Sequence, residues 1–105
     1  MQRLGCFAVA ADHPALPGHF PGRPIVPGVV LLDEALAAID RAFDLAAPLR
    51  LLRVKFMAPV GPGQEVTVMA APPAQGTVRF SCMADGRPVL SAVVQFGAPD
   101  EEPGA

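Results

Sequence analysis

Residues 18–37 read GHFPGRPIVPGVVLLDEALA, and the second half of this stretch carries the strongest structural signal in the chain. It is apolar nearly all round and is interrupted only by Asp33 and Glu34, which is the pattern of a buried helix. Pro27 suits the first turn, because its missing N–H would have no helical partner there. We therefore predict one long helix over about 27–45, ending ahead of the next proline.

Strand-like runs lie on both sides of this helix. One short apolar run precedes it, and four runs follow it, separated by turn-forming segments. The pair Asp85 and Gly86 is a strong signal for a β-hairpin. The predicted strands are Leu4–Ala10, Leu51–Met57, Glu65–Ala71, Thr77–Met83 and Val89–Phe96. These elements predict an α+β fold in which an antiparallel meander curls around one helix.

The composition fits one small globular domain, expected over residues 1–96. Of the 105 residues 51% are apolar and 17% are charged, which is sufficient for a core and too apolar for disorder. A domain of this size buries a modest share of its surface, and it has no Trp or Tyr to help cover it, which favours a core shared within an oligomer. The acidic tail, residues 97–105, is expected to be disordered.

Charge and cysteine content narrow the classes of function. The net charge is −2, and the basic residues are scattered along the sequence from Arg3 to Arg87, so no basic stripe for nucleic acid is evident. Cys6 and Cys82 are interpreted as reduced thiols, and no cluster of metal ligands is expected. The sequence has neither a secretory signal pattern nor the roughly 20 apolar residues of a membrane span, which favours a cytoplasmic protein.

The loop ahead of the helix is the first candidate site. Residues 12–27 include five prolines and two glycines, which exclude regular structure and stiffen the backbone. Long loops in small domains are often functional. His19 lies within it, where a fixed imidazole with a near-neutral pKa would suit a general base. The loop alone fits a structural role for His19 equally well, and His13 is interpreted as a surface or structural residue.

Two further groups lie at the start of the helix. Together with a general base they would suit the elimination of water from a thioester. Gly28 lies where backbone N–H groups are unpaired and the helix dipole is positive, so its N–H could stabilise a developing oxyanion. Taken alone, Gly28 is more simply a turn glycine. A carboxyl group among apolar neighbours, Asp33 or Glu34, could keep the proton that a general acid donates. The two acids point about 100° apart, so one would serve the site and the other the surface; a polar stripe is the alternative.

Residues 18–37 closely resemble the signature of the 3-hydroxyacyl-acyl-carrier-protein dehydratases of bacterial fatty-acid synthesis. Residues 54–66, VKFMAPVGPGQEV, resemble the strand and turn that follow the helix in that family. The resemblance implies a hotdog fold, an antiparallel sheet wrapped around one long buried helix. It also implies that His19 is the catalytic base, that the Gly28 N–H binds the thioester oxygen, and that Asp33 is the acid, with Glu34 as the fallback.

Three neighbours of these residues in the motif, Phe20, Pro27 and Val29, are predicted to contact the substrate. The resemblance implies dehydration of a 3-hydroxyacyl thioester to the trans-2-enoyl thioester without a cofactor, on acyl carrier protein or CoA. It further implies a dimer in which His19 of one subunit faces Asp33 of the other.

With 105 residues, this chain resembles the compact dehydratases of specialised lipid, polyketide or aryl polyene pathways, some of which pair with a second hotdog subunit. Three alternatives remain open. A hotdog thioesterase is disfavoured by the HFPG and PGV spacing, and a non-catalytic hotdog subunit is disfavoured by the retention of His19, Gly28 and Asp33 together. A CoA-ester hydratase would use much the same residues.

Overall fold

The computed structural model describes residues 1–13 and 25–97 of the chain. Its elements in chain order are β1 (Gln2–Phe7), α1 (Gly28–Phe43), β2 (Leu49–Phe56), β3 (Val66–Ala70), β4 (Thr77–Ala84) and β5 (Arg87–Phe96). One helix and a five-stranded antiparallel sheet confirm the predicted α+β class. The helix begins one residue later than predicted, because Pro27 is extended (ψ 142°) and precedes the first turn.

The order of strands in the sheet is β1-β3-β4-β5-β2. The Asp85–Gly86 turn joins β4 to β5 with positive φ at both residues, 52° and 74°, as a two-residue hairpin requires. The predicted meander holds for β3, β4 and β5 and is wrong for β2, which pairs with β5 instead of β3. The chain leaves β2 through a long connection whose first residue, Met57, still donates to the Val89 carbonyl at 2.9 Å.

The core lies between α1 and the inner face of the sheet. Strand residues alternate between buried and partly exposed, which is the period-2 pattern of a sheet covered on one face. The helix contributes five buried residues: Val30, Leu31, Ala35, Ala38 and Ile39. Large fully buried side chains such as Phe80, Ile39 and Leu90 each contribute about 1.5–3 kcal/mol. No polar or charged side chain is buried in the described part of the chain.

The helix and β2 leave apolar surface uncovered in the single chain. The prediction of a helix buried nearly all round is therefore wrong for one chain by itself, since Val29 is 61% exposed and Asp33 and Glu34 are both exposed. Edge strand β2 is exposed along most of its length. Its exposed apolar residues, with the one that follows it, are Leu49, Leu51, Leu52, Phe56 and Met57. The uncovered edge of β2, whose apolar side chains are interspersed with Arg50, Arg53 and Lys55, is a surface on which another strand can pair.

The described part of the chain ends beside the segment that precedes β2. Gly97 donates to the carbonyls of Ala46 and Pro48, and the rest of the predicted tail lies outside the described residues.

Both cysteines are free, as predicted, and the strand register places them on opposite faces of the sheet: Cys6 pairs with Thr67, and Cys82 with Val68. Within residues 1–13 and 25–97 no helix is long and apolar enough to cross a membrane.

Candidate active site at the start of the helix

The first residue of α1 lies against the last residue of β2. A Cβ built on Gly28 would lie 2.7 Å from Cε1 and 2.9 Å from Cζ of Phe56, well inside van der Waals contact. Any side chain at position 28 would therefore displace the ring. The backbone at position 28 and the Phe56 ring approach so closely that only glycine fits without a shift. This contact gives a steric reason for the glycine that the sequence places at the helix start.

Backbone N–H groups are available at this helix start. The carbonyl of Pro27 accepts the first helical bonds, from Val30 N at 3.0 Å and Leu31 N at 3.4 Å. The N–H groups of Gly28 and Val29 precede those bonds, and no side chain caps them. No other group in residues 1–13 or 25–97 accepts from them. With the positive end of the helix dipole behind them, they can bind an oxygen on which negative charge develops.

An apolar groove of about 550 Å³ opens beside these N–H groups. One wall consists of Ile25, Val26 and Val29, and the other consists of residues 56–60, which begin with the Phe56 ring. The two walls are tied together by a 2.8 Å hydrogen bond from Val26 N to the Val60 carbonyl. An apolar groove lined by a few polar backbone groups is suited to an acyl chain whose carbonyl oxygen is held by those groups.

The two helix acids do not line this groove within one chain. Asp33 lies four residues after Val29 and shares its solvent-exposed helix face, whereas Glu34 points about 100° away, next to buried Val30. Both side chains are exposed. The structure therefore does not bring an acid and the Gly28 N–H into one groove in the isolated chain.

Of the four remaining predicted site residues, the structure describes Pro27 and Val29. Val29 lines the groove, as a substrate contact would. Pro27 is the half-buried residue that ends the loop and fixes the helix start. His19 and Phe20 lie outside the described residues, so their predicted roles rest on the motif alone.

Sequence reasoning assigned no site role to Phe56 or to the turn after it. The signal was available, because residues 54–66 belonged to the resemblance and alternation along β2 places Phe56 on the inner face opposite Leu90. What the sequence did not reveal is the contact with Gly28, since that contact joins residues 28 positions apart.

Cys82 is unsuited to nucleophilic chemistry. Its side chain is fully buried, and burial raises the pKa of its thiol from 9.0 to about 11, so the thiol stays protonated at neutral pH. No group of three His, Cys, Asp or Glu residues in the described ranges is placed to hold a metal ion.

Comparison with known proteins gives a consistent answer. Residues 3–93 match the ApeI-like family, described as ApeI dehydratase. The 3-hydroxyacyl-[acyl-carrier-protein] dehydratase FabZ of Bartonella quintana (strain Toulouse) is 30% identical over 108 residues, which cover 92% of this chain and 70% of the relative.

Two solved structures share the fold. A chain of the dehydratase heterocomplex ApeI:P from Xenorhabdus doucetiae matches with a TM-score of 0.73 at 19% identity, over 89% of this chain and 84% of that one. A thioesterase from Thermus thermophilus, solved with coenzyme A and zinc, matches with a TM-score of 0.59 at 19% identity, over 96% and 84%. At these identities the likeness establishes the hotdog fold that the sequence predicted.

Proposed function

Because the chain belongs to the ApeI-like dehydratase family, we propose that it removes water from a 3-hydroxyacyl thioester carried on acyl carrier protein, leaving the trans-2-enoyl thioester. The observation that carries the proposal is the pair of N–H groups at Gly28 and Val29, which have no acceptor within residues 1–13 and 25–97 and lie beside an apolar groove. That arrangement suits a thioester whose carbonyl oxygen gains charge when the neighbouring carbon loses a proton.

The proposed chemistry is a 1,2-elimination. His19 takes the proton from C2, and the electron pair moves towards the thioester oxygen, which accepts the Gly28 N–H. The pair then forms the C2–C3 double bond as the C3 hydroxyl leaves with a proton from Asp33. No electron donor or metal is needed for the balance. Glu34 remains the fallback acid, because its helix position places it next to the buried face.

The acid is proposed to come from a second hotdog subunit, either another copy or a related chain. Support comes from the exposure of Asp33, which does not line the groove of its own chain, and from the uncovered apolar edge of β2. The fold relative from Xenorhabdus doucetiae is described as a heterocomplex, which supports testing both kinds of partner. A location in the cytoplasm is part of the proposal.

The test is mass spectrometry of 3-hydroxyacyl acyl carrier proteins of several chain lengths, incubated with the protein alone and with any co-encoded hotdog chain. The expected result is the loss of one water per acyl group, abolished by His19→Ala and by Asp33→Asn, with Glu34→Gln as the matched control that retains activity. Loss in Glu34→Gln with Asp33→Asn active would transfer the acid role to Glu34.

A second candidate, a hotdog thioesterase, is favoured by the structural likeness to thioesterases. Such an enzyme would hold the same thioester and direct water to its carbonyl carbon, so release of free acid would support it. No change with any partner would favour a non-catalytic subunit. Parallel incubations with acyl-CoA substrates, and with the enoyl thioester in the reverse direction, distinguish the carrier and a hydratase.

A further inference from the structure

Two residues of the connection after β2 line two hollows at once. Ala58 and Pro59 line the apolar groove of about 550 Å³ and also a second hollow of about 420 Å³. The lining of the second hollow further includes Gln64 and Asp85. The chain at Ala58 and Pro59, here called the dividing wall, therefore separates the groove from a second space of comparable size.

The dividing wall is held by the residues on either side of it. Before the wall, Met57 N donates to the Val89 carbonyl at 2.9 Å, and after it the Val60 carbonyl accepts from Val26 N at 2.8 Å. The two wall residues themselves make no backbone hydrogen bond within residues 1–13 and 25–97. The position of the wall is therefore set by its flanking segments.

A tight turn follows the wall at residues 61–64, GPGQ. Gln64 N donates to the Gly61 carbonyl at 3.3 Å, across a turn whose central residues are Pro62 and Gly63. Proline followed by a glycine with φ 82° is the pattern of a type II turn. The Gln64 side chain closes the same turn a second time, because its Oε1 accepts from Gly61 N at 3.2 Å. The turn is also tied to the segment after β1 by a 2.8 Å bond from Gly63 N to the Val9 carbonyl.

The amide nitrogen of the same side chain reaches the β4–β5 hairpin. Gln64 Nε2 donates to Asp85 Oδ2 at 2.7 Å, a short hydrogen bond to a charged acceptor. One half-buried side chain thus joins the turn after the wall to a hairpin turn that lines the second hollow. The anchors at Met57, Val60 and Gly63 are main-chain bonds, whereas this one depends on a side chain and can be removed by substitution.

We infer that Gln64 is a positioning residue that limits the length of the acyl chain in the groove, by holding the dividing wall through its bonds to Gly61 and Asp85. The inference rests on the proposed function, which puts an acyl chain in the groove. A fixed wall confines the chain to the groove, whereas a wall free to move opens the second hollow to the end of a longer chain. Release of the wall should therefore favour long chains and leave short ones nearly unaffected.

The test compares variants of this bridge on 3-hydroxyacyl pantetheines of increasing chain length. In Gln64→Ala the ratio of kcat/KM for long chains to that for short chains should rise roughly two- to tenfold, the factor equivalent to one net hydrogen bond. The change should lie in KM for the long chains, with the short-chain kcat within about twofold of the parent. Gln64→Glu should have the same effect, because two carboxylates would face each other in place of the 2.7 Å bond.

Three matched variants distinguish the bridge from a general loss of structure. Asp85→Asn keeps an acceptor for the Gln64 amide and tolerates the φ of 52° at this position, so it should behave like the parent. Gln64→Glu/Asp85→Asn exchanges donor and acceptor, and the chain-length preference of the parent should return. Glu65→Gln changes the next residue, whose carboxylate accepts from Cys6 instead, and should have no effect.

Binding of saturated acyl pantetheines, measured by calorimetry, separates this inference from the proposed function, because it requires no turnover. A shift towards long chains in Gln64→Ala, with no dehydration by the parent, would support the role of Gln64 and refute dehydration. Faster hydrogen exchange at Val26 N–H, which binds the Val60 carbonyl beside the wall, would also support it. An unchanged length preference in Gln64→Ala and Gln64→Glu would overturn the inference, as would an equal loss at every length or no recovery in the exchanged pair. Absence of acyl binding by the parent at any length would overturn both.

Discussion

Replacing Gly28 with alanine should reduce turnover by about 10- to 100-fold while leaving the fold intact. The added Cβ would lie 2.7, 2.9 and 3.2 Å from three atoms of the Phe56 ring, against about 3.5–4.0 Å for a relaxed carbon contact. The ring or the helix start must therefore shift by roughly 1 Å, and a misplacement of that size at a reacting centre costs on the order of 100-fold. If only the ring moves, the loss falls at the lower limit, because the Gly28 N–H stays in place.

The matched control is Phe56→Ala alone and combined with Gly28→Ala. Phe56 is 52% exposed, so its removal costs less stability than loss of a core ring, and it makes room for the new Cβ. If the steric argument is correct, the double variant is more active than the product of the two single effects predicts. The assay is kcat/KM for dehydration, with thermal unfolding as the check on folding. Strictly multiplicative effects would refute the proposed contact between position 28 and the ring.

Three further outcomes test the fold and the surfaces. Phe80→Ala should lower the free energy of unfolding by about 3–5 kcal/mol in urea titrations, because its ring is 1% exposed; a loss below about 1 kcal/mol would contradict the described core. At pH 8 iodoacetamide should modify exposed Cys6 far faster than buried Cys82, whose pKa is about 11, and equal rates of modification would argue against burial. The free energy of unfolding should fall as the pH rises from about 9 towards 11, because the Cys82 thiol ionises at a lower pH in the unfolded chain than in the folded one. Leu52→Lys, at the 48%-exposed bulge of β2, should shift sedimentation towards monomer and lower the melting temperature, because a partner that binds only the folded chain stabilises it; an unchanged oligomer would exclude the β2 edge as the interface.

Local sequence patterns were sufficient for the elements. The apolar run after Pro27 predicted the helix, and period-2 alternation with the Asp85–Gly86 turn predicted the hairpin of β4 and β5. Such signals act over a few residues, where backbone preference and side-chain spacing decide the conformation. Gly28 was singled out for the same reason, as a glycine at a helix start.

The place of β2 was not predictable in this way. No turn residue specifies that β2 pairs with β5 and not with β3, the next strand in the chain. The partners of β2 lie about forty residues further along the sequence. Such pairing is decided by which arrangement buries the inner faces of all strands against the helix. Exposure of the helix face that carries Asp33 follows from the same packing, because one chain has only enough sheet to cover one side of α1.

The sequence by itself determined the helix, the five strands, the hairpin turn and the motif that indicates a hotdog dehydratase, because each depends on residues close together in the chain. Only the tertiary structure decided which strands are neighbours, that the Phe56 ring lies against Gly28, and that the Gln64 side chain reaches Asp85. These features join distant residues, and the competition to bury apolar surface fixes them for the chain as a whole.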